Sequence, residues 1–570
     1  MIFIKPVKRK ISILLSIIGF FFLQPSFSQT IDTAQFSRAK KILENRGELI
    51  VLFNKPVSIS IDSLTRLISI DNYKNNIVKA YISKKQFPVF LKLGIDFEII
   101  VPPEKPNKLK STQSSIWTWN QYPTYAEYDS MMDSFSRAYP ALCKTVNTGN
   151  SVNGCKLLFS RINSDTTKAK PSVMYSSTMH GNETGGFILM LRLINYLLSN
   201  YGKNAEITQL VDSLDIWINP LANPDGYYDI TIFEQKRFNK NGVDLNRNFP
   251  DPVYGAHADG EAYQPETIAM MALMKQKHFV LSANFHAGSE VVNYPWDSDS
   301  TFHADSNWFK YIASEYADSA QYYGRSNYFT SVRPNGIVDG IYWYAVYGGR
   351  QDYITYFRQG REVTIELDET KTTPEAQLNN LWIYNYRSLL HYLEQSLYGI
   401  HGFVTDSVGN PIYSKIQILN HDDASSFVYS DSTSGVFYRL INEGNYSIQF
   451  SAKGYKTKTI NNIVVANRKT TYLNIQLDKG LDKGNSIETT SISNICVYPN
   501  PCFQKFYINC KNNSSSINVE ILDIYGRCIQ KSYFKNLLNP IEIKGLPKGL
   551  FLIKLSLDNS KPLIFKEIVE

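Results

Sequence analysis

At 570 residues the chain is too long for one hydrophobic core, and roughly three to five folded units are expected. Hydrophobic residues make up 43% and charged residues 19%, a balance that excludes general disorder. A net charge of +7 is mild over this length, and no basic block with interleaved aromatics occurs, so no nucleic-acid partner is expected.

The N-terminus reads as a secretory signal. Lys5, Lys8, Arg9 and Lys10 form a basic start, Ile11 to Leu23 an apolar run, and Ser26-Phe27-Ser28 a cleavage site before Gln29. The apolar run is too short to span a bilayer comfortably, so the mature chain is expected to carry no transmembrane anchor. Residues 29–114 mix patterns. Ile68 to Asp71 and Phe97 to Val101 predict strands, and Ser83 to Leu93 predicts a helix. This small α+β unit is either a pro-segment or a permanent accessory domain. It ends in a polar linker from Pro102 to Ser115 that is open to a protease cutting after Lys.

From 115 to 399 strands and helices alternate, which predicts an α/β unit. Ser172 to Ser176 and Leu214 to Ile218 read as strands, and Phe187 to Leu198 as an apolar helix. Phe279 to Phe285 is a strand leading into His286, and Val363 to Leu367 a strand carrying Glu366. Cys143 and Cys155 are candidates for a disulfide staple, which an exported chain permits. From 400 to 478 short alternating strands appear, at Ile416 to Ile418, Tyr446 to Phe450 and Tyr472 to Ile475. That pattern predicts a β-sandwich. A polar linker at 479–492 leads to a last β-rich unit at 493–570, and Cys496, Cys502, Cys510 and Cys528 fall in it.

The chemistry concentrates in His180-Gly181-Asn182-Glu183 and, about a hundred residues later, His286-Ala287-Gly288-Ser289. Two imidazoles and a carboxylate are the protein ligands of many catalytic zinc ions, with the fourth position left open. A His and a Glu three apart also occur by chance, so the surrounding text decides. Ordered landmarks follow: Asn223-Pro224-Asp225-Gly226, Arg237-Phe238-Asn239, Val243-Asp244-Leu245-Asn246-Arg247-Asn248-Phe249, Gln264-Pro265-Glu266-Thr267, Tyr344 ahead of Gly348-Gly349-Arg350-Gln351-Asp352, and Thr364-Ile365-Glu366-Leu367.

This text, from Trp117 to Gly399, resembles the zinc carboxypeptidase family, in its hormone-processing branch. The fold implied is α/β, a mixed open sheet with helices on both faces. A small α+β segment precedes it and two small all-β sandwich domains follow. The resemblance implies one zinc ion per chain, held by His180, Glu183 and His286. It implies Glu366 as general base, Arg237 as oxyanion stabiliser, and Asn246 with Arg247 as the grip on the substrate's terminal carboxylate. Tyr344 matches a mobile tyrosine that caps the terminal residue. Asp297 and Gln351 match the pocket that meets basic side chains, which implies release of Arg or Lys. Asp297 followed by Ser298-Asp299-Ser300 also reads as an ordinary loop acid, and Arg350 would repel a basic side chain if it pointed inward. Asn223-Pro224-Asp225-Gly226 reads as a tight turn rather than as ligands.

The sandwich at 400–478 resembles a transthyretin-like domain. The end of the chain, with Val497-Tyr498-Pro499-Asn500-Pro501 and Gly545-Leu546-Pro547-Lys548-Gly549, is similar to the C-terminal sorting domain of the type IX secretion system. The expected partners are peptide or protein C-termini and the outer-membrane secretion machinery, and the expected location is the cell surface or the medium. Two other functions fit parts of the chain. One is cleavage of cell-wall peptides, which the full Asn246-Arg247 pair argues against. The other is a silent surface-binding protein, which the intact set of His180, Glu183, His286 and Glu366 argues against.

Overall fold

The computed structural model describes residues 33–101, 118–228 and 235–480, then a set of strands and turns between 495 and 569. The expected signal peptide, the Pro102 to Ser115 linker and most of the 479–492 linker lie outside the described residues. The chain divides into two compact units, residues 1–479 and 480–570.

The first unit opens with helix Thr33–Arg46 and a four-stranded sheet. Its strands are β1 (Glu48–Asn54), β2 (Ser69–Lys74), β3 (Ile77–Ser83) and β4 (Glu98–Ile100), in the order β2-β3-β1-β4. Leu49, Val51 and Phe53 alternate into its core with Val78, Ala80 and Ile82. β2 is an edge strand. The helix expected over Ser83 to Leu93 is only the short turn Phe87–Leu91, because β3 continues through Ser83.

An eight-stranded mixed sheet follows, in the order β11-β10-β12-β9-β7-β8-β6-β5. Its strands are β5 (Cys143–Asn150), β6 (Lys156–Ile162), β7 (Ser172–Ser177), β8 (Asp215–Asn219), β9 (Phe279–His286), β10 (Ser289–Tyr294), β11 (Ile337–Asp339) and β12 (Glu362–Asp368). The central strands β8, β7, β9 and β12 run parallel. They are buried on both faces, so they read as near-continuous apolar runs. Val173, Tyr175, Ile216 and Ile218 point to a face covered by helices Gly185–Asn200, Ser306–Tyr323 and Leu378–Glu394. Met174 and Trp217, one residue out of step, pack with Met270 and Leu273 of helix Pro265–Gln276 on the other face.

Cys143 and Cys155 are free thiols, not a disulfide. The β5–β6 register explains this. Cys143 pairs with Ile162 at one end of the hairpin, while Cys155 stands next to the Asn150–Lys156 pair at the other.

Residues 399–476 form two facing sheets, β16-β13-β19 with β20 on β13, and β15-β14-β17-β18. Here β13 is Gly399–Thr405, β14 Lys415–Ile418, β15 Val428–Tyr429, β16 Val436–Arg439, β17 Gly444–Ser451, β18 Lys458–Val465, β19 Thr470–Tyr472 and β20 Ile475–Gln476. The strand expected over Tyr472 to Ile475 is thus broken in two. The sandwich is joined to the α/β part by buried charge. Asp305, fully buried, accepts from Arg361 at 2.7 Å, from Arg439 of β16 at 2.9 Å, and lies 2.8 Å from His421 Nε2. Asp305, His421 and Asp422 resemble a metal-ligand group, but the two guanidiniums supply the positive charge there. The second unit holds a three-stranded and a four-stranded antiparallel sheet around Ile508, Val519, Ile553 and Leu555.

Removing one partner of such a buried network leaves the others uncompensated. Asp305→Ala is expected to lower the unfolding free energy of this unit by about 3–5 kcal/mol. Urea unfolding followed by tryptophan fluorescence checks it; a change below about 1 kcal/mol contradicts the interdomain lock.

Candidate active site

The site is built at the C-terminal ends of β7, β9 and β12, the usual position in an open α/β sheet. After β7 the chain makes a tight turn in which Glu183 N donates to His180 O at 3.0 Å. That turn brings both side chains to one side. It rests on the Asn223-to-Tyr227 turn. Gly226 N donates to Asn223 Oδ1 at 2.9 Å, and Asn223 Nδ2 donates to Met179 O at 3.1 Å. A Cβ at Gly181 would lie 2.2 Å from the Gly226 carbonyl carbon, so the two turns meet backbone to backbone. Asn223 and Asp225 are structural, as expected; Asp225 accepts from Ser151 Oγ at 2.7 Å and Asn153 N at 2.9 Å.

Three donor groups converge. His180 Nδ1 lies 2.9 Å from Glu183 Oε1, and His286 Nδ1 lies 2.8 Å from Glu183 Oε2. The two Nδ1 atoms face each other at 3.1 Å. The far side of His180 is held by Asp244, whose Oδ1 is 2.9 Å from Nε2. With Nε2 carrying its proton toward Asp244, the Nδ1 lone pair points inward. Two lone pairs and a carboxylate closing on one point fit a divalent cation. The ligand atoms of His180, Glu183 and His286 all lie within 4.8 Å of one another. Burial pushes His286 down to about 4, which keeps its imidazole neutral, the form that ligates. Burial opposes the charge on Glu183, but the Lys371 ammonium is the largest of the influences that outweigh it and hold the carboxyl well below its ordinary range.

Glu366 is the register partner of His286 across β9 and β12. Burial raises its carboxyl to about 8, and the Glu183 charge adds to the rise. One oxygen, Oε2, is enclosed without a hydrogen-bond partner. Arg237 enters from the other side. Its Nε donates to Asp244 Oδ2 at 3.0 Å, and its Nη1 lies 3.4 Å from Glu183. Asp244 also starts the turn Leu245–Arg247, accepting from Asn246 N at 2.9 Å, and this aims Asn246 and Arg247 at the same cavity. The segment carrying Tyr344 passes over them. Gly348 has φ +73°, and a Cβ there would lie 2.1 Å from Arg247 O.

Asp297 lines the cavity with Asn293 and Thr364. Asn293 Nδ2 donates to Asp297 Oδ1 at 2.9 Å, while Asp297 N donates to Asp352 at 3.0 Å. Burial raises the Asp297 carboxyl to about 7. It is a cavity acid, not an ordinary loop acid. Two pocket expectations change. Gln351 is buried with both amide atoms unpartnered, and it is not among the residues that line the cavity. Arg350 does not point inward; it is fully buried, with Nε donating to Glu362 Oε1 at 2.9 Å.

Three residues escape sequence reasoning. Asp244 sits inside a recognised motif, and its place two residues before Asn246 was the available signal. Lys371 reaches Glu183 Oε1 at 2.7 Å and Ala287 O at 2.9 Å. Asp71 of β2 reaches Lys371 Nζ at 2.5 Å and Arg237 Nη1 at 3.5 Å. Nothing in their local sequence marks the last two.

Comparison with known proteins agrees with this geometry. The zinc carboxypeptidase pattern matches residues 128–388, a carboxypeptidase regulatory-like domain 399–478, and a secretion system C-terminal sorting domain 496–570. Carboxypeptidase D of Drosophila melanogaster is 34% identical over 376 residues, covering 61% of this chain and 26% of that protein. The chain thus spans about a quarter of that relative's length. Carboxypeptidase M of Mus musculus is 33% identical over 345 residues, covering 57% of this chain and 77% of that protein. Carboxypeptidase E of Caenorhabditis elegans is 30% identical over 438 residues, covering 68% and 92%. With His180, Glu183 and His286 closing on one point at the ends of its sheet, the chain belongs to the zinc carboxypeptidase family.

Proposed function

We propose that this chain is an exported zinc-dependent metallocarboxypeptidase that hydrolyses the last peptide bond of a peptide or protein and releases Arg or Lys. The observation that carries the reading is the convergence of two Nδ1 atoms and the Glu183 carboxylate beside Glu366. One zinc ion per chain is held by His180, Glu183 and His286. Zinc in such a set supplies Lewis acidity toward a carbonyl and toward water.

The chain's own residues do the rest. Arg247 and Asn246 take the substrate's terminal carboxylate, since a planar guanidinium meets a carboxylate bidentately. This restricts cleavage to the last residue. Tyr344 closes over that residue. Glu366 takes the proton of the attacking water and returns it to the leaving amine. A carboxyl raised by burial suits both halves of that task. Arg237 stabilises the oxyanion as the carbonyl becomes tetrahedral. Asp297 pairs with the basic side chain of the residue released.

Residues 1–28 are the export signal in this reading, and the sorting domain hands the chain to outer-membrane secretion machinery. The domain limits follow the same reading: 29–114 accessory, 115–399 catalytic, 400–478 transthyretin-like and 493–570 sorting. Among the described residues no helix is long and apolar enough to cross a membrane.

Purified full-length chain is expected to hold one zinc by mass spectrometry and to hydrolyse a blocked dipeptide ending in Arg. His286→Ala should lose both metal and activity. Glu366→Gln should keep the metal and lose turnover by a factor on the order of a hundred to ten thousand. Full zinc occupancy in His286→Ala, or unchanged kcat in Glu366→Gln, rules the assignment out.

The Asp297 carboxyl sets the second expectation. A basic side chain needs it charged, and an acid raised to about 7 loses its charge early as pH falls. KM for Arg-ended substrates should therefore climb as pH drops from about 8 to about 6, while KM for Phe-ended substrates changes less. Asp297→Ala should lower kcat/KM for Arg ends roughly 30-fold or more. Better turnover of Phe ends by the wild type would overturn the preference.

A further inference from the structure

We propose that the cleft between the start of β1, the end of β3 and the loop 236–242 is a binding site for a phosphate group, free or carried as a phosphomonoester. The inference is independent of the peptidase reading. It uses no residue that serves there as metal ligand, base or substrate grip.

The cleft has a volume of about 130 Å³, room for several waters or for one four-oxygen anion. Arg46, Lys84, Lys85, Lys236 and Lys240 line it, against the carboxylates of Glu48 and Asp225. The cations come from three separate stretches of chain, so no single basic run creates the site. A Cβ on Gly47 would lie 3.9 Å from Lys236 Nζ, which places that ammonium across the cleft against the β1 side. Lys85 is turned to Glu261, 2.7 Å away. Asp225 is turned to Ser151 and Asn153, as described above. Phe238 adds an apolar wall, packed with Ile50 and Tyr81. Among the described residues, positive charge therefore exceeds negative charge around a partly dry cavity, which favours an anion. Ammonium and guanidinium groups make charge-assisted hydrogen bonds to phosphate oxygens.

Glu48 decides which anion fits. It is buried, and its Oε2 accepts from Arg237 N at 3.0 Å and from Phe238 N at 3.4 Å. Its Oε1 is enclosed without a hydrogen-bond partner. Arg46 Nη2, at 4.0 Å, is too far to donate to it. Burial raises the carboxyl to about 6, against the pull of Arg46, so it is charged at pH about 8. A buried acceptor without a donor is costly. Phosphate at that pH keeps one P–OH, which can donate to Oε1 while its other oxygens accept from the cations. Sulfate has no proton to give and sets oxygen against oxygen. The cleft thus calls for a ligand that donates once and accepts several times.

Isothermal titration calorimetry on the full chain at pH about 8 tests this, with sodium phosphate and sodium sulfate at matched ionic strength. One phosphate per chain is expected, bound roughly tenfold or more tightly than sulfate. Lys84→Glu combined with Lys240→Glu should weaken phosphate roughly tenfold or more and leave the urea unfolding midpoint unchanged. Glu48→Gln puts an amide nitrogen where Oε1 stands, and should bring sulfate to within about twofold of phosphate. Equal affinity for the two anions in the wild type overturns the proposal, and so does unchanged phosphate affinity in the double lysine variant. These two results decide even if Glu48→Gln does not fold. Phosphatidylcholine vesicles carrying phosphatidic acid or phosphatidylglycerol separate the sources, since only phosphatidic acid offers a phosphomonoester. Retention on phosphatidic acid alone, released by phosphate, assigns a lipid headgroup. With phosphate selectivity shown by calorimetry, no retention, or equal retention on both, assigns free phosphate.

Discussion

The structure around the site depends on one constraint, that buried charges must be matched. His180, Glu183, Arg237, Asp244, Lys371 and Asp71 meet in a volume nearly closed to water. A charge there without a partner would be costly, while a paired and hydrogen-bonded set is tolerated. Asp244 shows how the matching also fixes geometry. One of its oxygens lies against His180 and the first amide of the Asn246 turn, and the other receives Arg237. A single carboxylate therefore orients a proposed metal ligand, the proposed oxyanion group and the start of the carboxylate grip.

The sheet supplies the rigid frame for that cluster. β7, β9 and β12 are parallel neighbours, so their C-terminal ends lie side by side at one edge. His286 and Glu366 are register partners, and Thr364 stands opposite Asn293. Their spacing is set by backbone hydrogen bonds and packed apolar side chains rather than by loops. Residues on rigid elements hold the narrow tolerances that catalysis needs. Arg350 illustrates how burial decides a residue's role. Its position beside the pocket suggested a voice in specificity, yet it is fully buried and its Nε donates to Glu362 of β12.

The same matching of charge spans domain boundaries. Asp305 binds Arg361 and Arg439, tying the transthyretin-like sandwich to the α/β part. Asp71, Ser69 and Glu48 tie the N-terminal sheet to the site itself. The first joint lies far along the sheet from the ligand cluster and has a structural character. The second meets the ligand cluster directly, through Arg237 and Lys371.

Much of this protein was legible in its amino-acid order. The strands carrying His286 and Glu366, the helix after Glu183 and the sandwich after 399 were readable, because apolar periodicity and turn residues are local properties. The ligand set was readable because His-x-x-Glu is closed by one tight turn and its context is preserved in order. Tertiary structure decided what depends on contacts distant in sequence. The free thiols of Cys143 and Cys155 follow from hairpin register, and the buried course of Arg350 from a glutamate on β12. Gln351 shared a recognised motif with Arg350, yet packing left it off the cavity wall. Asp71 and Lys371 are 300 residues apart in a sequence that says nothing of either, and only the docking of one sheet edge on another domain brings their charges together.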